Sequence, residues 1–381
     1  MMSAQNPVVP EPVAPVAPFP ERAKARPALP LAAPSAKPAA SAGVQASARA
    51  LHPVLACVDG TGAAEAVVQH ARAIADALGD PLVVLQVLEP LNGQGPADPV
   101  EWAIRQREAT GRLEALARHA GHATCGTGTM LREGWAPHAI DDAARSLAAG
   151  LIVLGTRDRA SERPAGLPGA AEARGPLLGL TARDVLARTG QSVLLQPPGL
   201  APETAQPYRR ILVPLDGSCW SEAAVPMAVR LARGSGAELL LAHVVTQPEL
   251  TGQQPPEADD LELLDRLVAR NERIGRAYLD RLRRSIGDSG VKVDSLIFRC
   301  EDSRSGLADL IDATGFDLVV LSARGRGANC GMELPYGSTV GYLAGRCPVP
   351  MLVVHPDIPV AQSSARNASR MLTRARFRPL G

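Results

Sequence analysis

Two kinds of spacing alternate along most of this chain. Short, mostly apolar runs at residues 54–58, 82–88, 151–154 and 192–195 have the length and the Val/Ile/Leu content of strands covered on both faces. Between the first two runs, Val67, Ala71, Ile74 and Leu78 recur at helical spacing, and Gly79-Asp80-Pro81 ends that helix. A more polar helix is expected over 99–120, a weaker strand over 123–131, and further helices over 136–148 and 181–188. Strand and helix in strict alternation predict a parallel sheet with helices on both sides.

A stretch rich in Pro at 196–206 interrupts the pattern, and the same order then starts again. The second round predicts a strand at 211–215, a helix turning Ala224, Ala228 and Leu231 inward, and a strand at 239–245. A long charged helix follows at 260–286, with Leu264, Leu267, Ile274, Tyr278 and Leu282 as its apolar stripe. A strand at 291–298, a helix at 305–313 and a strand at 316–321 complete the series up to a glycine-bearing loop. That loop ends at Gly337-Ser338-Thr339, which opens a helix before a last strand at 351–354.

The repetition can be counted. Asp59, Gly60, Glu65, Ala66, Ala71, Ala75 and Val87 recur 157 positions on as Asp216, Gly217, Glu222, Ala223, Ala228, Ala232 and Val244. Leu151, Val153, Leu154 and Arg157 recur 167 positions on, and Gly179 recurs 158 positions on as Gly337. An offset that is constant inside elements and changes only in loops is the mark of a duplicated domain. The expected organisation is a Pro/Ala-rich arm at 1–50, a first domain at 51–197, a linker at 198–207, a second domain at 208–357 and a basic tail at 358–381. The arm holds ten prolines and fifteen alanines without periodicity, and both it and the tail read as disordered.

Composition narrows the function classes. Aromatic residues make up 3% of the chain, so the core must be built from Ala, Val and Leu. The net charge is +1, but the arm and tail carry an excess of Lys and Arg, which leaves the folded part mildly acidic and a poor nucleic-acid platform. The six cysteines form no C-x-x-C pair and read as separate reduced thiols. No run approaches the roughly 20 apolar residues of a membrane span, and prolines break up any leader pattern, so a cytoplasmic protein is expected.

The candidate chemistry lies in the second repeat. Asp216-Gly217 follows its first strand and Ser322 to Gly327 follows its fourth. In open parallel sheets ligands sit beyond the carboxyl ends of strands, where the winding direction reverses. If the first and fourth strands are neighbours, both turns face one crevice. Gly325 and Gly327 let backbone N–H groups approach a phosphate, Ser338 and Thr339 add donors, Arg324 and Arg326 add charge, and Asp216 can accept from ribose hydroxyls. Taken singly, Gly-Ser-Thr is a helix start and Asp216-Gly217 a turn; taken together they outline a nucleotide site. No G-x-x-x-x-G-K-[ST] loop occurs. His243 ends an apolar strand and reads as a core or edge residue, and no carboxylate or cysteine cluster joins His119 and His122.

ILVPLDGS at 211–218, LLLAHVV at 239–245 and DLVVLSARGRG with YGSTVGYLAGRCPVPMLVV toward the end resemble the universal stress protein family, in tandem arrangement over about residues 53–357. The resemblance implies two α/β domains, each with an open five-stranded parallel sheet of the adenine nucleotide alpha hydrolase-like kind, paired through their last strands. It also implies ATP, with or without Mg2+, bound through G-x2-G-x9-G-[ST]. Carried over, Pro214, Leu215 and Asp216 line the adenosine end, Val244 meets adenine through its backbone, and Gly325, Gly337, Ser338 and Thr339 hold phosphate. Leu321, Ser322, Arg324 and Gly327 complete the candidate set. Ser322 stands at the motif's first glycine, and eleven residues, not nine, separate Gly325 from Gly337. In the first repeat Asp158 replaces the second glycine, Leu180 the hydroxyl and Cys57 the proline matching Pro214, so that repeat reads as a structural partner.

The reading is a nucleotide-dependent regulatory or interaction module in a stress response, not an enzyme. The alternative is a nucleotide-free scaffold of the same family; a nucleotidyl-transfer enzyme would need a metal or basic cluster. Expected partners are an adenine nucleotide, a protein of open identity and the other repeat, or a second chain through the edges at 192–195 and 351–354. Neither membrane nor nucleic acid is expected.

Overall fold

The computed structural model describes residues 51–90, 98–121, 123–158, 176–200, 208–248, 257–326 and 335–356. The 1–50 arm, the 198–207 linker beyond residue 200, His122, Gly327 and the 358–381 tail therefore lie outside the described residues. The first repeat runs β1 (Val54–Val58), α1 (Ala64–Leu78), β2 (Leu82–Leu88), α2 (Pro99–His119), β3 (Thr127–Glu133), α3 (Ala136–Ser146), β4 (Leu151–Gly155), α4 (Leu180–Arg188) and β5 (Ser192–Gln196). The second runs β6 (Arg210–Pro214), α5 (Ala224–Ser235), β7 (Glu238–Thr246), α6 (Ala258–Ile286), β8 (Val293–Cys300), α7 (Ser303–Thr314), β9 (Leu318–Ser322), α8 (Ser338–Ala344) and β10 (Met351–Val354).

All ten strands belong to one sheet, in the order β8-β7-β6-β9-β10-β5-β4-β1-β2-β3. Each repeat contributes the order 3-2-1-4-5 with parallel neighbours, so its winding reverses between its first and fourth strands. Side chains alternate across the sheet. Val54, Ala56 and Val58 pack beneath α1 and α2, whereas Leu55 and Cys57 pack beneath α3 and α4. In the second repeat, Leu318 and Val320 face α5 and α6, and Val319 and Leu321 face α7 and α8. β1, β5 and β9 lie inside the sheet with helices over both faces, and they are buried along their whole length.

Three expected elements shift. β3 begins at Thr127, not residue 123, because residues 123–126 form a turn: Gly126 N–H donates to the Ala123 carbonyl at 2.8 Å with φ at 98°. β8 begins at Val293 because the chain leaves α6 through a turn of 3-10 helix at Gly287–Ser289 and a left-handed Gly290. The apolar stripe of α6 is carried by Leu264, Val268, Gly275, Leu279, Leu282 and Ile286, while Ile274 is 53% exposed. Gly275 places the backbone against the sheet, where a Cβ would lie 2.9 Å from the His243 ring. The helix rolls onto its glycine, and Ile274 turns outward.

The repeats are joined at three levels. β5 and β10 pair antiparallel, with Leu195, Leu194 and Val193 opposite Met351, Leu352 and Val353. Above that ladder α5 crosses α1 in backbone contact: a Cβ on Gly234 would lie 1.8 Å from the Ala77 carbonyl oxygen. Beside the crossing, buried Asp80 lies 3.3 Å from Arg230, and buried Tyr208 places its hydroxyl 3.5 Å from His70 Nδ1. Burial pulls the His70 imidazole down to about 4, and its Nε2 has no hydrogen-bond partner among the described residues. Among the described residues no helix is long and apolar enough to cross a membrane.

Two stability effects are expected. Gly234→Ala forces α5 away from α1 and lowers stability in urea denaturation by about 1–3 kcal/mol, whereas Gly111→Ala in α2, where a Cβ meets nothing within 4 Å, raises it by about 0.5–1 kcal/mol. His70 takes a proton more readily in the unfolded chain than in the folded one. Its contribution is therefore fully present above the ordinary histidine value, and stability falls as pH drops from about 6.5 through about 4, by roughly 2–3 kcal/mol at the lower end. Denaturation midpoints of His70→Gln across that range are expected to show the slope removed.

Candidate functional site

Because β6 and β9 are neighbours, the turns that leave their carboxyl ends must meet. They enclose a crevice of about 270 Å³ on the α7–α8 side of the sheet. Pro214, Leu215 and Asp216 come from the β6 end, Ala242 and Val244 from β7, and Leu321, Ser322, Ala323, Arg324, Gly325 and Arg326 from β9 and its loop. Gly337, Ser338, Thr339 and Val340 close it from α8, and Ser303 and Leu307 from the first turns of α7.

Asp216 organises the two turns. Its Oδ1 accepts from the Ser218 N–H at 2.9 Å and the Ser218 hydroxyl at 2.6 Å, which folds the β6 turn around a left-handed Gly217 (φ 82°). Its Oδ2 accepts from the Arg326 N–H at 2.5 Å, and the Arg326 guanidinium donates to the Asp216 carbonyl at 2.5 Å. The carboxylate thus ties the β6 turn to the β9 loop. Such an approach demands glycine at 325, where a Cβ would lie 2.6 Å from Asp216 Oδ2. Burial by itself would raise the Asp216 pKa, but the bonds from Ser218, Ser221 and Arg326 outweigh it and hold the group below the usual carboxylate range. It is ionised at neutral pH.

The opposite wall is set by Gly337, the N-cap of α8, with φ 78° and its α-carbon over the Ala323 carbonyl, 3.0 Å from where a Cβ would stand. No side chain caps this helix, so the hydroxyls of Ser338 and Thr339 are not consumed as caps and both residues line the crevice. Arg324 lies at its edge with the guanidinium 5.8 Å from the Trp220 ring centre, and its N–H donates to the Ser322 hydroxyl at 3.2 Å. The structure brings together Pro214, Leu215, Asp216, Val244, Leu321, Ser322, Arg324, Gly325, Gly337, Ser338 and Thr339. Gly327 falls outside the described residues.

Several lining residues were not singled out from the sequence. Ala242 had a signal, since it lies two positions before Val244 and so shares its face. Ser303 and Leu307 reach the crevice from α7 through tertiary packing, which sequence spacing does not reveal. His243 points to the other face, where its Nδ1–H donates to the Leu215 carbonyl at 2.7 Å.

The matching place in the first repeat is built differently. Gly179 also caps its helix, but with φ −63°, and Leu180 follows it 79% exposed where Ser338 stands in the second repeat. Arg157–Asp158 pairs with Pro176–Leu177 there, and a Cβ on Gly179 would lie 3.9 Å from the Arg157 side chain. Cys57 is buried and burial pushes its thiol up. His119, expected to lack a carboxylate cluster, meets one carboxylate: Nε2 lies 2.8 Å from Glu65 Oε1. Among the described residues no group of three or more His, Cys, Asp or Glu is placed to hold a metal, and five cysteines are free.

Comparison with solved structures finds a universal stress protein from Archaeoglobus fulgidus DSM 4304, 17% identical over 79% of this chain and 95% of that one, with a TM-score of 0.53. At that identity the likeness concerns the fold. Two shorter chains also match: the universal stress protein UspA from Lactobacillus plantarum, 24% identical over 38% of this chain and 97% of that one (TM-score 0.34), and the universal stress protein from Archaeoglobus fulgidus in complex with dAMP, 21% identical over 38% and 97% (TM-score 0.28). No curated protein matches the chain in sequence. The family model described as "Universal stress protein family" matches twice, over residues 50–197 and 207–355. These two matches cover well over half of the sequence and coincide with the two repeats of the sheet, and the chain belongs to the universal stress protein family as a tandem member.

Proposed function

We propose that the crevice of the second repeat binds an adenine nucleotide, ATP by preference and with or without Mg2+, and that occupancy alters the surface offered to a protein partner during a stress response. The observation that supports this most directly is a crevice lined by two glycines whose backbones are held close to their neighbours, Gly325 against the ionised Asp216 carboxylate and Gly337 against the Ala323 carbonyl. Gly325 sits where a Cβ would lie 2.6 Å from Asp216 Oδ2, and Gly337 holds φ 78° across the cleft. Main chain kept free of side chains leaves N–H groups open to an anion. In this reading the base lies along Ala242 and Val244, the ribose hydroxyls donate to Asp216, and the phosphates run past Gly325 toward Ser338 and Thr339. Arg324 and Arg326 supply positive charge at the rim. The protein acts as a cytoplasmic regulatory or interaction module and not as an enzyme.

A nucleotide-free scaffold is the second reading, and one observation favours it. Arg326 already donates to Asp216 through both its N–H and its guanidinium at 2.5 Å, in the space assigned to ribose. The two readings diverge in a titration.

A fluorescent ATP analogue added to the full chain is expected to bind, and Gly337→Val, which puts a branched side chain on a left-handed backbone beside the Ala323 carbonyl, is expected to weaken it at least about tenfold. An unmoved signal with millimolar analogue and intact protein favours the scaffold. Repeating the titration with EDTA decides the Mg2+ contribution. The depressed pKa of Asp216 adds a pH test. Its contribution is present above the ordinary carboxylate value and lost only as pH falls below it, so the affinity ratio of wild type to Asp216→Asn stays flat between about pH 8 and 5.

A further inference from the structure

A second cavity, of about 410 Å³, lies beyond the carboxyl ends of β1 and β2 in the first repeat. It opens on the α1–α2 side of the sheet, opposite in face to the crevice of the second repeat. Its lining includes the turn at Gly60, Glu65 of α1, Gln86 of β2, and Arg112, Leu116 and His119 of α2. We propose that this cavity is a ligand site, and that it takes a small molecule bearing a carboxylate or phosphate together with an amine.

The duplication supplies an internal comparison. Gln86 corresponds to His243, 157 positions on, at the same register of the second strand. In the second repeat that place is closed by protein. The His243 ring donates to the Leu215 carbonyl at 2.7 Å, Gly275 brings α6 directly against it, and Glu222 pairs with Arg281 at 3.1 Å. In the first repeat α2 also packs on the core, through Ala109 and Leu113, but the place beside Gln86 opens into the cavity. Gln86 is 4% exposed, yet its Oε1 has no hydrogen-bond partner among the described residues. A buried amide oxygen left this way calls for an N–H or O–H donor.

The charges around it point to the rest of the ligand. Glu65, the counterpart of Glu222, is engaged by His119 Nε2 at 2.8 Å. Arg112 reaches the other wall: a Cβ on Gly60 would lie 3.7 Å from its guanidinium carbon and 3.5 Å from Gln86 Nε2. Amide and guanidinium therefore converge over an α-carbon that has no side chain and a φ of 76°. A guanidinium fork is matched by a carboxylate or phosphate. The Gln86 oxygen is matched by an ammonium group a few atoms away, and Leu116 and Ala115 give the short apolar stretch between them.

The test is calorimetric titration of the full chain with L-serine and, separately, with phosphoethanolamine. The first probe carries its anion as a carboxylate, the second as a phosphate. Binding of one of them at millimolar concentration or below is expected, weakened about tenfold by Arg112→Ala, with Gly337→Val and saturating ATP both without effect. Gln86→Leu, which removes the unpaired oxygen, is expected to abolish binding while leaving the melting temperature unchanged or higher. Failure of both probes to bind at about 10 mM, or binding that survives Arg112→Ala in a chain of unchanged circular dichroism, overturns the proposal. Because this cavity and the nucleotide crevice share no residue, failure here leaves the reading of that crevice standing.

Discussion

The antiparallel ladder between β5 and β10 is the contact on which the rest of the molecule depends. Each repeat is a parallel sheet with helices on both faces, and its fifth strand would otherwise end in a row of unpaired N–H and C=O groups. An edge of that kind invites association with other chains. Pairing Val193 to Leu195 with Met351 to Val353 satisfies both edges at once and makes one ten-stranded sheet. It also fixes how the helices meet: with the strands antiparallel, α1 and α5 lie on the same face and cross at Gly234 and Ala77. Tyr208 with His70 and Arg230 with Asp80 add polar contacts beside that crossing. The same antiparallel arrangement sends the carboxyl ends of the two sets of strands in opposite directions, so cavities at those ends open on opposite edges of the sheet.

Inside the second repeat, strand order does the next part of the work. Adjacency of β6 and β9 is a property of the 3-2-1-4-5 winding, and it obliges two loops far apart in sequence to share one crevice. What happens there is then decided by a few close contacts. The Asp216 carboxylate has four hydrogen-bond acceptor directions. Ser218 uses two and the Arg326 N–H a third, and Ser221 also bonds to the group, so the carboxylate is largely engaged in holding the turn to the loop. Gly325 is required by the position of Asp216, and Gly337 by the position of Ala323. The glycines of the loop answer to the carboxylate and to the main chain, whatever else they serve.

The architecture was legible because its signals are local and periodic. Fully apolar runs such as 318–321 mark the elements covered on both faces, and the 157-residue offset separates inherited positions from drifted ones. The turn at Asp216-Gly217 and the helix start at Gly337 were legible because a left-handed backbone at the end of a strand or the start of a helix favours glycine. What the sequence hid was set by tertiary packing. Ile274 has ideal spacing for the inner face of α6, yet the helix turns it outward to bring Gly275 against His243, a contact that no pattern of hydrophobicity encodes. Arg326 read as a charge for a phosphate, and its bonds to Asp216 depend on a loop path that its neighbours do not specify. The turn at 123–126 shortened β3 because a glycine at φ 98° can end a strand as readily as it can sit in one.

The two repeats also separate what the fold demands from what it tolerates. Thr61 and Ser218 make the same turn in the same way, each hydroxyl donating to the preceding aspartate at 2.6 Å. That turn redirects the chain from strand to helix in both copies, and its chemistry is retained. One strand away the constraint relaxes. At the register shared by Gln86 and His243 the fold requires only a side chain that fits under a helix, and the helices above have diverged. In the second copy a glycine let α6 settle onto an imidazole that has a carbonyl to bond. In the first, a cavity remains beside Gln86, whose buried amide oxygen has no donor among the described residues. An unpaired buried acceptor is a destabilising feature of about 1–3 kcal/mol, and a single change to Leu would remove it. Its presence beside an arginine and a cavity is better explained by an occupant than by packing, since packing alone favours the apolar residue.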